Sequence, residues 1–317
     1  MNALEELKRY TRVVADTGSF ELMRRFQPLD ATTNPSLILK AVESSQYRHL
    51  VRDVLQQSRE QTTEKQVLRL LVQFGREILA IIPGRVSTEV DADLSFNREA
   101  TIEQADEILQ LYSRHGVSPS RVLIKIAATW EGIRAAEALE RRGIACNLTL
   151  LFSMTQAMAC ADAGVSLISP FVGRISDWHK ARGLSWDSVN EDPGVQSVRA
   201  IYSLYAERGY KTEVMGASFR SVEQVLALAG CDLLTVSPEL LEGLMNLGLE
   251  TPLAPALSPR DLSSLKVPAL SELPGLCESD FRLELNEDAM ATEKLSEGIR
   301  LFRRDGDRLR SLLGEMA

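Results

Sequence analysis

Short apolar runs alternate with longer amphipathic stretches through most of this 317-residue chain, and four of those stretches stop at a glycine. A helix expected over Trp130–Arg142 stops at Gly143, before a strand at Ala145–Leu150. Another over Thr155–Ala163 stops at Gly164, before a strand at Ser166–Val172. A wetter insert, Arg174–Arg208, stops at Gly209 before Lys211–Ser218, and a helix over Ser221–Ala229 stops at Gly230 before Leu233–Pro238. Glycine tolerates the left-handed conformation that closes a helix, so these positions read as helix ends. Upstream, strands are expected at Arg12–Ala15, in the run ending DATTNPS, at Val86–Val90 and in VLIKIA from Val122. Long helical patterns cover Ile38–Arg59 and Glu64–Ile82, and a further helix covers Thr101–His115. Eight strands in alternation with helices select a (β/α)8 barrel over an open doubly wound sheet.

Length alone would admit two domains, but α/β barrels run to about 250 residues as one, and no Pro-rich linker interrupts the chain before residue 250. A single domain over 1–317 is therefore expected, with extra helices at the N-terminus. Five prolines between Thr251 and Pro274 break any regular element, giving an irregular excursion over about 245–281. A long amphipathic helix, about Glu287–Leu313, closes the chain with Met290, Leu295, Ile299 and Phe302 on one stripe.

Composition narrows the partners. A formal charge of −8 argues against non-specific nucleic-acid binding and against an anionic membrane surface. No apolar run approaches the ~18 residues of a spanning helix, and MNALEELKRY carries no signal core, so a cytoplasmic protein is expected. The four cysteines (Cys146, Cys160, Cys231, Cys277) form no CxxC pair and read as free buried thiols. Three scattered histidines in no HExxH frame leave zinc without a ligand set. Neither GxGxxG after a strand nor GxxxxGK(S/T) is present, so dinucleotide and P-loop readings have no support.

The residue that packing does not explain is Lys125, inside VLIKIAATW. Its neighbours Val122, Leu123, Ile124 and Ile126 suit a strand buried on both faces. Burying an ammonium costs roughly several kcal/mol unless it is paired or neutralised. Two outcomes relieve the cost: a salt bridge, or a lowered pKa that frees the amine as a nucleophile.

In a barrel the chemistry sits at the C-terminal strand ends. Those positions supply Asp16, Asn34, Glu89, Lys125, Asn147 with Thr149, Ser169 with Phe171, and Ser218 with Arg220, and Arg174 lies just past a strand. Each has a plainer reading. Asp16 and Asn34 could cap helices, Asn147 and Thr149 could satisfy strand-end backbone, Phe171 could be core, and the arginines could be solvated surface. Jointly, a lysine and two carboxylates at one mouth point to Schiff-base chemistry on a carbonyl. An unperturbed lysine is neutral in only about 1 molecule in 2,500 at pH 7, and a dry barrel raises that fraction. Nearby acids would shuttle the protons, amides and hydroxyls would orient a polyol, and arginines would hold a phosphate.

VVADTG, DATTNPSL, GRVSTEVDA, LIKIAATWEGIRAAE, CNLTLLFS, LISPFVGRISDW, EDPGV, VMGASFR and LAGCDLLTVSP, in this order, resemble the motifs of the transaldolase family of the pentose phosphate pathway. EDAMATEKLSEGIRLF is similar to that family's closing helix. The resemblance implies a barrel enzyme, usually a homodimer, with no metal and no organic cofactor. It implies sugar-phosphate substrates: a dihydroxyacetone unit would pass from sedoheptulose 7-phosphate to glyceraldehyde 3-phosphate, giving erythrose 4-phosphate and fructose 6-phosphate. Position by position, Lys125 would be the Schiff-base lysine and Asp16 the acid/base at the cleaved bond. Glu89 with Thr149 would position the proton-relaying water. Asn34, Asn147 and Ser169 would bind the hydroxyls of the three-carbon unit, and Arg174, Ser218 and Arg220 the phosphate. Phe171 matches an aromatic that relatives acting as fructose 6-phosphate aldolases replace by tyrosine, which favours transfer over cleavage. The Pro-rich segment, about Met245–Phe281, departs from the family pattern. The rivals are such an aldolase and a non-catalytic sugar-phosphate-binding barrel.

Overall fold

A computed structural model describes residues 2–258, 260 and 276–316. Eight parallel strands close into a barrel in sequence order: β1 (Arg12–Asp16), β2 (Asp30–Thr32), β3 (Val86–Glu89), β4 (Val122–Ala127), β5 (Cys146–Leu151), β6 (Leu167–Pro170), β7 (Glu213–Gly216) and β8 (Leu233–Val236). Two helices, α1 (Ala3–Leu7) and α2 (Phe20–Phe26), flank β1. Three more, α3 (Pro35–Glu43), α4 (Arg48–Gln57) and α5 (Thr63–Leu79), lie between β2 and β3. The outer layer continues with α6 (Arg98–Arg114), α7 (Trp130–Glu140), α8 (Met154–Asp162), α9 (Gly173–Ala181), α10 (Pro193–Glu207), α11 (Val222–Leu226) and α12 (Pro238–Asn246), and ends in α13 (Glu278–Glu287) and α14 (Ala289–Met316).

Side chains two residues apart on a strand share a face, and this stacks the barrel interior in layers. Arg12, Asp30, Arg85 and Glu213 form an ion-pair network at the N-terminal end. Above it, Val14, Leu123, Leu167, Met215 and Leu233 pack into an apolar plug. One step further along each strand the interior turns polar, with Asp16, Glu89, Lys125, Asn147, Ser169 and Thr235. Over that layer α14 lays Leu295, Ile299 and Phe302 against Leu150, Phe152 and Phe171. The closing helix is thus part of the roof of the barrel mouth.

Several expected boundaries change. Ile38–Arg59 is not one helix, because Ser44 is extended (φ −73°, ψ 135°) and its side chain accepts from the Gln46 amide, ending α3 before α4 begins. The Arg174–Arg208 insert is largely helical: Asp192 caps α10 by accepting from the amides of Gly194 (2.8 Å) and Val195 (3.3 Å). Asn97 caps α6, which starts earlier than the periodicity shows. The four glycine stops hold, with φ of 78°, 68°, 66° and 97° at Gly143, Gly164, Gly209 and Gly230. Of the irregular excursion, Pro259, Pro268 and Pro274 lie outside the described residues, while Glu278–Phe281 belong to α13. Cys146, Cys160 and Cys231 are buried, but Cys277, preceding α13, is exposed. No helix among the described residues is long and apolar enough to cross a membrane.

Candidate active site

Strand register brings the central residues together. Glu89 on β3 is level with Lys125 on β4, and Lys125 is level with Asn147 on β5. The Lys125 Nζ lies 3.1 Å from Glu89 Oε2 and donates to the Thr33 carbonyl at 3.2 Å. Both side chains are buried, at 7% and 6% exposure. Beyond this ion pair, Glu89 Oε2 has no partner among the described residues. Burial raises the Glu89 pKa above the usual carboxylate value, and the ammonium beside it pulls the other way.

Asp16 does not cap a helix. Its Oδ1 accepts from Thr32 Oγ1 (2.9 Å), and that hydroxyl also meets Thr235 Oγ1 (3.0 Å), so the carboxylate is held by a hydroxyl chain across three adjoining strands. Asn34 does cap: its Oδ1 accepts from the Leu37 amide at 2.9 Å, fixing the start of α3 while the residue also lines the cavity. Capping α3 therefore does not take Asn34 off the cavity wall. Ser169 Oγ donates to Asn147 Oδ1 (2.6 Å), and Asn147 Nδ2 donates to Ser87 Oγ (3.0 Å). Thr149 Oγ1 is buried with no partner among the described residues.

These groups face a cavity of ≈ 180 Å³ whose wall includes Asp16, Asn34, Lys125, Thr149, Ser169 and Phe171. Its outer part is cationic, with Arg174, Ser218 and Arg220 on the same wall. Burial, and then the charge of Arg220, lowers the Arg174 pKa. The Arg174 guanidinium lies over the Phe171 ring (4.9 Å) and the Phe302 ring (5.7 Å), with Nη1 unpartnered among the described residues. Arg220 pairs with Asp177 at 2.8 Å, and its Nη1 donates to the Ser218 carbonyl at 3.2 Å. Ser218 itself sits at φ 60°, strained for a residue with a side chain. Asn147 and Glu89 stand behind this wall rather than on it.

Sequence reasoning missed Thr32, Thr235, Ser237 and Phe302 on the same wall. The first two were findable, since each is a hydroxyl within a strand whose other residues are apolar or acidic. Phe302 reaches the site only through the packing of α14. No group of three or more His, Cys, Asp or Glu positioned to hold a metal ion occurs among the described residues.

A parallel barrel that gathers an amine, two carboxylates and two guanidiniums at its C-terminal mouth defines a class: an enzyme scaffold suited to carbonyl chemistry on an anionic substrate. A family model described as Transaldolase/Fructose-6-phosphate aldolase matches residues 13–313. The chain belongs to that family, and is an enzyme of aldolase or transferase type.

Proposed function

We propose that the chain is a transaldolase, moving a dihydroxyacetone unit from sedoheptulose 7-phosphate to glyceraldehyde 3-phosphate through a Schiff base on Lys125. The observation that carries this is Lys125 itself: a buried amine, paired at 3.1 Å to a buried carboxylate, on the wall of a cavity with a cationic mouth. The Lys125 nitrogen attacks the ketose carbonyl, and the carbinolamine then loses water. That loss needs a proton donor beside the nitrogen, and burial favours the protonated form of Glu89. Thr149 Oγ1 and Glu89 Oε2, both short of partners, suit a water held between them. Asp16 accepts the hydroxyl proton as the carbon–carbon bond breaks, with Thr32 holding its carboxylate in place. Asn34 and Ser169 orient the hydroxyls of the retained unit, Asn147 fixes the Ser169 hydroxyl from behind the wall, and Arg174, Ser218 and Arg220 take the phosphate.

Transfer rather than simple cleavage requires the lysine-bound enamine to outlive the exchange of aldehydes. Phe171 supports that requirement. Its ring packs edge-on against Phe152 (centroids 5.4 Å apart), fills the cavity wall and offers no acidic proton.

Borohydride reduction in the presence of fructose 6-phosphate should leave a stable adduct on Lys125, located by peptide mapping. A Lys125→Met variant that traps equally well would refute the assignment of the nucleophile. Turnover that stops without an acceptor aldehyde supports the transferase. Steady release of free dihydroxyacetone would instead make the chain a fructose 6-phosphate aldolase.

A further inference from the structure

A second cavity, of ≈ 390 Å³, lies between α5, the turn Ala92–Leu94 and α14. Leu68, Leu71 and Leu309 contribute its apolar wall, and Asp93 and Asp307 reach solvent at its rim. Two observations tie it to the reaction site. Phe302 lines both cavities, and Glu89 lines the second while its partner Lys125 lines the first. The ion pair and the ring therefore form a partition, with the substrate mouth on one side and a separate opening on the other.

We propose that the second cavity is a water port, through which the water released and consumed at Lys125 passes behind Glu89 while sugar occupies the first cavity. The proposal rests on the Schiff-base reading above. In the capture step the nitrogen lone pair forms the C=N bond, and the C–O bond pair leaves with oxygen. The leaving hydroxyl takes the proton of the Glu89 carboxylic acid, giving one water, an iminium ion and a carboxylate. Hydrolysis of the product imine runs the same step backwards and consumes one water.

That water has a poor path through the front. A ketose joined to Lys125 and anchored by its phosphate at Arg174 and Arg220 spans the first cavity from floor to mouth. On the other side of Glu89 there is room for on the order of ten waters. Glu89 lines that space together with Glu64, Gln104 and the pair of Asp91 and Arg310, whose charged atoms are 2.5 Å apart, so moving water finds partners along it. Leu68, Leu71 and Leu309 on the same wall offer it none and keep the passage open.

The test fills the port without touching the first cavity. In Leu71→Phe, exchange of the ketose carbonyl oxygen with ¹⁸O-labelled water, measured without acceptor, should slow about tenfold along with kcat. The acceptor KM and the melting temperature should stay near wild type. Leu71→Ala, which widens the port, should exchange at least as fast as wild type. Should Leu71→Phe not fold, Val67→Phe on the same wall gives the same reading. A folded, port-filling variant that exchanges oxygen at the wild-type rate overturns the proposal. If wild type itself traps no borohydride adduct, the Schiff-base reading has failed. If it traps normally and the filled variant is unaffected, the port alone has failed.

Discussion

Glu89 and Lys125 occupy matched positions on neighbouring strands, and the carboxylate oxygen stands 3.1 Å from the amine nitrogen with both side chains nearly out of solvent. Burial is the largest influence on Glu89 and raises its pKa above 4.5, with Lys125 acting against it. Below pH 4.5 the carboxyl is protonated in both folded and unfolded chains. As pH climbs past 4.5 the unfolded chain ionises first, so the contribution of Glu89 to stability declines until the folded group ionises too. Glu89→Gln lacks that decline. Denaturant midpoints followed from about pH 4.5 to about pH 8 should show wild type losing ground to the variant. A gap that moves the other way would contradict the assignment of burial as the dominant effect.

Asp16 is tethered by Thr32 and lies on a different strand from the amine, and in the proposed mechanism the two acids divide the work. Asp16→Asn should still form the borohydride-trappable adduct, because carbonyl capture does not need this carboxylate. Carbon–carbon cleavage should fall about 10²- to 10⁴-fold, the usual range for loss of a general base. Single-turnover release of the aldose checks the split. Equal loss of both steps would show that Asp16 serves the capture step as well.

A phosphate should matter most to Arg174, whose Nη1 is buried without a partner among the described residues and whose pKa is lowered by burial and by Arg220. An anion between the two guanidiniums would relieve both effects. Inorganic phosphate should therefore raise the melting temperature of wild type and do so much less in Arg174→Gln. The same variant should raise KM for phosphorylated substrates about tenfold or more, the scale of a lost charge-assisted hydrogen bond at 1.5–3 kcal/mol (roughly). An unchanged response to phosphate would place the anion elsewhere.

How much of this was legible depended on whether the signal was local. The barrel was, because glycine stops and two-face apolar strands repeat along the chain. Lys125 was legible because it breaks an apolar strand, and Asp16 and Glu89 because each closes a strand at the C-terminal end of the barrel. Asn34 shows the limit of such reasoning: one residue serves as helix cap and cavity wall, so the sequence signal for a cap does not decide whether the residue faces the cavity. Phe302 was visible only as a member of an apolar stripe. Its place over Arg174, with Lys125 Nζ 5.9 Å from its ring, follows from how α14 crosses the barrel mouth, a contact 177 positions away from Lys125 in the chain (302 − 125). The split of Ile38–Arg59 was hidden because Ser44 ends a helix through its own backbone conformation rather than through a glycine or proline.

Gly173 gives a test of the mouth that does not alter its charges. Its amide donates to the Ser218 carbonyl at 2.8 Å, and a Cβ built there would stand 2.3 Å from that same oxygen. The nearest obstacle is backbone, which cannot swing aside as a side chain tip would, and the Arg220 side chain stands next, its Cγ 2.7 Å away. Gly173→Ala should push β7's exit loop away from α9, costing about 1–3 kcal/mol as overpacking does. Ser218 and Arg220 ride on that loop, so KM for phosphorylated substrates should rise while borohydride trapping at Lys125 survives. Gly143→Ala is the control. Its φ of 78° strains alanine through the backbone instead, while nothing lies within 4 Å of the new methyl and the residue is far from the mouth in the α7–β5 turn. It should lose about 1 kcal/mol of stability with KM unchanged. If the two alanines lower stability alike and neither moves KM, the close approach of Gly173 to Ser218 has no part in shaping the phosphate end of the site.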